Sequence, residues 1–237
     1  MENNTSFPQD LVVSKENARF MTRVYGWMSG GIALTALISY FASETPGFMD
    51  LIITNKTVFY GLMISQFVCV LSFSFLIQRI NSFAAAILYF LYSALTGLTF
   101  SVLFMIYTQT SIAQVFILTS ASFAGLSAYG FITKRDLGPL GAFCMMGLFG
   151  MLGYALISWI FPSLYSERGG MIYSAIGVLV FSGLTAYDTQ KIKKMNVIGN
   201  EGTDADRKLA IHGALILYLD FINLFLSLLR LMGGRRK

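Results

Sequence analysis

The chain has 237 residues, of which 55% are hydrophobic and only 12% are charged, and its formal net charge is +5. A soluble globular protein carries about 25% charged residues, so this composition excludes a soluble globular domain and indicates a chain that lies in a lipid bilayer. The positive charge is then expected to report membrane topology, and it gives no reason to predict nucleic-acid binding.

The apolar segments predict seven membrane-spanning helices. One span needs about 20 apolar residues. The charge-free run 80–133 is more than twice as long as one span needs and is expected to fold as two helices with a polar turn at 108–111 between them. In chain order the predicted helices lie within 24–43, 57–78, 80–133 (two helices), 137–166, 169–187 and 209–229. The chain is therefore predicted to be an all-α integral membrane protein, a seven-transmembrane-helix bundle.

This prediction divides the chain into three parts. Residues 1–23 form an N-terminal tail, 24–230 the seven-helix transmembrane domain, and 231–237 a basic C-terminal tail. The polar loop 189–208 between helices six and seven is the longest connection.

Basic residues orient the helices, because loops rich in lysine and arginine stay on the cytoplasmic side. With the N-terminus in the cytoplasm, only Lys56 and Arg168 lie outside, and the basic residues inside are Lys15, Arg19, Arg23, Arg79, Lys134, Arg135, Lys191, Lys193, Lys194, Arg207 and Lys208. The C-terminal tail lies outside if the last segment spans the membrane and inside if that segment is re-entrant. Seven spans are expected, because the last run is long enough.

Two aspartates fall within, or at the end of, these apolar helices. Asp188 ends the sixth predicted helix, and Asp220 lies in the middle of the seventh, in LYLDFINLF. An aspartate at the centre of a membrane helix costs about 2.5–3.5 kcal/mol on insertion scales, so it is usually turned inward and used. The alternatives are that Asp220 is protonated and only joins helices, and that Asp188 only pairs with the lysines that follow it.

A helical wheel places Asp220 on a polar seam of the last helix. With about 100° per residue, five polar side chains share one arc: His212, Asp220, Asn223, Ser227 and Arg230. Such a seam is typical of a helix that lines a wet path or a buried polar network.

Asp188 and Asp220 are predicted to meet, because helices six and seven are consecutive and antiparallel. Two close carboxylates do not both ionise readily in a medium of low dielectric, and they titrate as a unit. A shared proton would join the helices, and its loss would leave two negative charges that repel or recruit Ca²⁺, which prefers oxygen ligands. The pattern predicts a pH-sensitive latch over a cation path, with Asp188 and Asp220 as the calcium ligands and Arg79 as a candidate partner.

Five stretches of the chain, in order, resemble one known family. They are ARFMTRVYGWMSGGIAL (18–34), FLYSALTGLTFSVLFMIY (90–107), FAGLSAYGFITKRDLGPLGAF (123–143), GLTAYDTQKIKK (183–194) and LYLDFINLFLSLLR (217–230). Together they resemble the Bax inhibitor family, the transmembrane Bax-inhibitor-motif proteins, in its bacterial YccA-like branch.

The resemblance implies a fold, an activity and a location. It implies seven helices with the last one wrapped by the other six, in a bacterial inner membrane. It also implies a pH-dependent calcium leak gated by a di-aspartyl sensor, with Asp188 matching the first aspartate and Asp220 the second. An arginine on the second helix latches to the first aspartate in the family, and Arg79 fits that location.

Three other functions remain open. The chain resembles family members described as suppressors of cell death and, in bacteria, as modulators of a membrane-bound protease, so one alternative is a non-conducting regulator. An H⁺/Ca²⁺ exchanger would use the same aspartates. An intramembrane aspartyl protease has a similar first motif, but its second aspartate lies in a Gly-x-Gly-Asp context, and here Asp220 follows Leu217-Tyr218-Leu219.

The chain is accordingly predicted not to be an enzyme. It has one histidine and no glycine-rich phosphate loop before a helix. No cofactor is expected, with calcium as the transported or bound ion and the lipid bilayer as the surrounding partner.

Overall fold

A computed structural model describes residues 6–161 and 166–236 of the chain. Within these ranges the chain is helical, and its only β-type pairing is an isolated bridge between Tyr107 and Arg235. The helices are α1 Ser6–Ser43, α2 Pro46–Thr54, α3 Lys56–Leu76, α4 Ser82–Phe100, α5 Leu103–Ile106, α6 Gln109–Ile132, α7 Gly138–Ile160, α8 Glu167–Met195 and α9 Asp204–Met232.

Seven helical segments are long and apolar enough to cross a membrane: α1, α3, α4 with α5, α6, α7, α8 and α9. The predicted all-α membrane bundle is confirmed. The last helix is the most buried of the seven, because 67% of the residues in its most apolar stretch are buried, against 11–39% in the others. Burial extends to its apolar residues, because Leu217, Tyr218 and Leu229 have no exposed surface.

Polar side chains set the beginnings of three helices. Asn55 accepts a hydrogen bond from the backbone N–H of Thr57, and Asn81 accepts one from Ala84. Thr108 accepts one from Ser111 at the start of α6, which is the break predicted within the long run 80–133. These caps satisfy N–H groups that have no partner inside the helix.

Three helices extend well beyond their predicted limits. α1 begins at Ser6, so most of the predicted N-terminal tail is helical. α8 continues to Met195, so Asp188 lies about two turns inside the helix and not at its end. α9 begins at Asp204, before its predicted start at 209, so the connection between α8 and α9 shrinks to 196–203. The predicted ends lie where charged residues begin, because charged residues show where a segment can leave the bilayer. The hydrogen bonds of a helix are internal to it, so the helix can continue beyond that point. Residues 1–5 of the predicted tail, and 162–165 of the predicted fifth helix, lie outside the described residues.

The chain divides into two compact units. The first comprises 1–103 and 192–215, and the second comprises 104–191 and 216–237. In the first unit α4 packs against α1 and α3. The buried hydroxyl of Tyr89 on α4 donates to the carbonyl oxygen of Trp27 (3.0 Å), and Thr35 donates to that of Ser93 (2.9 Å). Such bonds hold helices together in lipid, where no hydrophobic force joins them.

The second unit has an apolar core between α7, α8 and α9. Its buried members are Cys144, Met151, Val180, Phe181, Leu184 and Leu224. Phe116 and Phe123 of α6 add edge-to-face contacts with Phe221 of α9, with ring centroids 5.6 and 5.5 Å apart.

The C-terminal tail is joined to the connection between α5 and α6. The backbone N–H of Thr108 donates to the carbonyl of Gly234 (3.1 Å), and that of Arg236 donates to the carbonyl of Ile106 (2.9 Å). The N–H of Gly234 donates to the hydroxyl of Ser111 (3.0 Å). The end of α9 therefore lies at the same end of this unit as the α5–α6 connection, which is where seven spans would put it.

Candidate functional site

The second unit brings together the two aspartates that the sequence singled out. Asp188 of α8 is 9% exposed and Asp220 of α9 is 5% exposed. Their carboxyl groups lie within hydrogen-bond reach of each other. The Oδ2 atom of Asp220 is buried and accepts no hydrogen bond from a donor group of the described residues. The arrangement can therefore hold one proton between the two carboxyl groups.

Two ionisable side chains face this pair. Lys191 lies one turn beyond Asp188 on α8, acts on it electrostatically, and places its ammonium group 5.8 Å from the ring centre of Tyr187. Cys144 of α7, a buried free thiol, lies near Asp220.

Buried hydroxyl groups fix α8 beside Asp188. Thr189 donates to the carbonyl of Thr185 (2.7 Å), and its hydroxyl lies 3.2 Å from that of Ser127 on α6. Gln190 accepts from the N–H of Leu137 (3.0 Å) and donates to the carbonyl of Arg135 (2.8 Å). The α6–α7 connection is thus attached to α8 at the turn that carries Asp188.

Two glycines allow the neighbouring helices to approach this turn closely. A Cβ at Gly130 of α6 would overlap the backbone carbonyl of Ala186, and one at Gly141 of α7 would overlap the ring of Tyr187. Sequence reasoning did not single out Ser127, Thr189 or Gln190. The signal for the last two was the polar run that follows Asp188, which was read as the start of a loop.

The polar seam continues from the pair along α9 into a cavity. Asn223, Ser227 and Arg230 line a cavity of about 170 Å³, together with Tyr173 and Met151 among others. Asn223 and Ser227 both donate to carbonyls of their own helix, at 2.8 Å. Three of the predicted seam residues therefore line an internal space between α7, α8 and α9.

Two other predicted site residues belong to the first unit. His212 is half-buried, with its ring centre 6.1 Å from that of Phe73. Arg79 is exposed just beyond the end of α3, and none of the ion pairs between described residues includes it. The latch role predicted for Arg79 stays a prediction.

The match to known proteins extends over nearly the whole chain. Residues 17–237 match the family model described as "Inhibitor of apoptosis-promoting Bax1". The chain belongs to the Bax inhibitor family. The predicted family resemblance is confirmed.

Three relatives with similar sequences are bacterial proteins. The chain is 45% identical over 218 residues to the inner membrane protein YbhL of Escherichia coli, covering 92% of each chain. It is 41% identical over 232 residues to an uncharacterized protein of Borreliella burgdorferi, covering 98% of this chain and 97% of that protein. A protein of Deinococcus radiodurans is 38% identical over 216 residues.

Proposed function

We propose that this Bax inhibitor family protein is a pH-sensitive calcium leak channel of a bacterial inner membrane, gated by the Asp188–Asp220 pair. One observation carries the proposal: two buried carboxyl groups on consecutive membrane helices lie within hydrogen-bond reach of each other. The location is supported by the name of the Escherichia coli relative. The orientation, with the N-terminus in the cytoplasm, is supported by the distribution of basic residues.

The gate works by charge. With one shared proton, the two carboxyl groups join α8 to α9 by a short hydrogen bond. Loss of that proton leaves two negative charges in a medium of low dielectric, which push the helices apart unless a cation enters between them. Oxygen ligands of this kind suit Ca²⁺.

Calcium is cargo in this scheme and not a resident ion. Among the described residues no three His, Cys, Asp or Glu side chains form a cluster that would hold a metal. Two carboxyl groups supply four oxygens at most, whereas a firmly held Ca²⁺ takes six to eight oxygen ligands, roughly. A site with fewer protein ligands suits an ion that must also leave.

The polar cavity along α9 supports a wet route to the gate. Asn223 lies one turn beyond Asp220, and Ser227 and Arg230 follow at one-turn intervals. A polar cavity that begins one turn from Asp220 supports a route on which ions avoid contact with lipid.

Calcium flux into liposomes that hold the purified protein tests the proposal. Flux is measured from pH 5 to 8 for the parent, Asp188→Asn and Asp220→Asn, with Asp50→Asn as the matched control, because Asp50 is an exposed acid on α2. We expect a pH-dependent flux in the parent and the control, and a flux that no longer responds to pH in the other two variants. Unchanged pH dependence in both variants would remove the pair from the gate.

Two alternatives give different results in the same liposomes. An H⁺/Ca²⁺ exchanger would move protons in a fixed ratio to calcium, which a pH dye inside the liposomes records. A non-conducting regulator of a membrane protease would give no flux above empty liposomes at any pH. The folded charged surface formed by the start of α1 and the 196–203 connection favours this second alternative, because it offers a docking face outside the bilayer.

A further inference from the structure

A second cavity lies at the end of the second unit where α7 ends, α8 begins and α9 ends. Its volume is about 280 Å³, and its polar lining consists of Tyr154, Ser158, Tyr173, Arg230 and Arg235. Arg230 is ten residues from Asp220 along α9, about 15 Å at 1.5 Å per residue. The cavity is therefore distinct from the carboxylate pair.

The polar groups of this cavity are donors. The hydroxyl of Ser158 is shielded from solvent and has no hydrogen-bond partner among the described residues. Tyr154 and Tyr173 pack side by side, with ring centroids 5.5 Å apart and planes inclined by 32°. Arg230 is exposed and takes part in none of the ion pairs between described residues.

The described lining of the cavity is basic. Two arginines contribute to it, and none of its described residues is an aspartate or glutamate. A guanidinium group presents its N–H donors in a planar fork that matches two oxygens of a phosphate group, and hydroxyl groups can donate to the remaining oxygens. A buried hydroxyl without a partner is a group that such an oxygen would satisfy.

The position of the cavity favours a phosphate carried by lipid. Arg230 lies two residues before the end of α9, and Tyr154 and Tyr173 each lie six residues from a helix end, about 9 Å along the axis. When the helix ends lie among the head groups, this depth is the boundary with the acyl chains, where tyrosine is favoured and a long arginine side chain reaches the head groups. Ala155 and Met171, which also line the cavity, are exposed on the outer surface of the helices, so the cavity is open to lipid.

We propose that this cavity binds the phosphate group of an anionic phospholipid, held by the Arg230 guanidinium and by the hydroxyl groups of Tyr154, Ser158 and Tyr173. Basic pockets between membrane helices bind phospholipid head groups in this manner. The cavity shares Tyr173 and Arg230 with the cavity along α9, but lipid binding is measured without calcium, so its failure and that of the proposed function are distinguishable.

Lipid retention by the purified full-length protein tests the site. Native mass spectrometry measures the binding of phosphatidylglycerol against phosphatidylcholine to the parent, to Arg230→Gln and to Ser158→Ala. We expect the parent to prefer phosphatidylglycerol, Arg230→Gln to bind it about tenfold more weakly, and Ser158→Ala to bind it several-fold more weakly. Thermal unfolding of each variant shows whether it is folded, and Arg230→Lys, which keeps the charge without the fork, should retain part of the affinity.

Arg236→Gln is the matched control. It removes one positive charge only six residues further along the chain, but Arg236 donates to the carbonyl of Phe104 and does not line the cavity. If Arg230→Gln and Arg236→Gln weakened the binding of phosphatidylglycerol equally, the binding would depend on general surface charge, and the proposed site would be overturned. Competition with inorganic phosphate distinguishes a lipid phosphate from a free phosphate. Displacement of phosphatidylglycerol by millimolar inorganic phosphate would indicate a site that is filled from solution, and would overturn the assignment to lipid. Failure of the parent to prefer phosphatidylglycerol over phosphatidylcholine, in which choline offsets the phosphate charge, would also overturn the site.

Discussion

At the scale of single residues, Asp220 and Asp188 are the groups whose protonation matters most. Each is nearly enclosed, and each has the other as a close neighbour. Asparagine has the shape of aspartic acid and can still donate a hydrogen bond, but it does not ionise near neutral pH. An asparagine variant therefore tests the effect of the charge of the pair while its packing is kept.

We expect the stability of the parent to fall as the pH rises from 5 to 8, because ionisation of both carboxyl groups makes them repel. In Asp220→Asn the remaining carboxyl group has a neutral partner, so this part of the pH dependence should disappear while the fold is kept. The unfolding temperature in detergent, measured across this pH range, tests the expectation. Identical pH profiles for parent and variant would contradict it.

Gly130→Ala should destabilise the protein by about 1–3 kcal/mol, because the new Cβ would meet the backbone carbonyl of Ala186, which has no rotamer to move away. Gly125→Ala is the control on the same helix, where a Cβ meets nothing within 4 Å and alanine favours the helix. Thermal unfolding of the two variants is the measurement. The prediction fails if both variants are as stable as the parent.

At the scale of helices, α1 reaches beyond the bilayer and holds the connection between α8 and α9. Arg23 pairs with Glu201 (3.1 Å) and with Asp206 (3.0 Å), and the side chain of Asp206 is only 3% exposed. The backbone N–H of Gly199, which has φ +89°, donates to Glu16 of α1 (2.9 Å). The connection that joins the two aspartate-bearing helices is therefore ordered by α1 and not free.

Arg23→Gln should cost about 1–3 kcal/mol, because it leaves the buried carboxylate of Asp206 without its charged partner. Arg19→Gln is the control, since Arg19 pairs with Glu201 but its side chain is 66% exposed, and such surface pairs contribute about 0–1 kcal/mol. Cleavage at Glu201 by a glutamate-specific protease should become faster in Arg23→Gln only. Equal cleavage rates in the two variants would show that Arg23 does not order the connection.

The spacing of the aspartates also belongs to this scale. Asp188 lies seven residues before the end of α8, whereas Asp220 lies sixteen residues after the start of α9. If the end of α8 and the start of α9 lay at the same height, Asp188 and Asp220 would lie at different heights along the two helices. Their meeting depends on the axial offset of α9, which sequence periodicity does not specify.

At the scale of the whole molecule, seven spans put the two ends of the chain on opposite sides of the membrane. A tag at the N-terminus should be protected from protease added outside, and a tag after residue 237 should be cleaved. Protection of both tags would indicate that α9 is re-entrant, and would contradict the expectation that its unbroken helix of 29 residues spans the membrane. Protease protection in intact spheroplasts is the measurement.

Much of this architecture was predictable from the sequence. Lipid offers no hydrogen bonds, so an apolar run of about 20 residues must be a spanning helix, and the number of such runs gives the number of spans. A carboxyl group in such a run is costly, so Asp188 and Asp220 could be identified as a candidate site from their positions alone.

The class of the protein, its seven spans and its two membrane aspartates follow from the amino-acid sequence, because solvation by lipid acts on each segment separately. The helix faces that meet are known only from the packed helices. Thr189 meets Ser127, Gln190 meets the α6–α7 connection, and Arg230 lies with Tyr154 and Ser158 around one cavity. Helical periodicity gives the faces of each helix, but the partner of each face depends on close packing between residues that are distant in the chain.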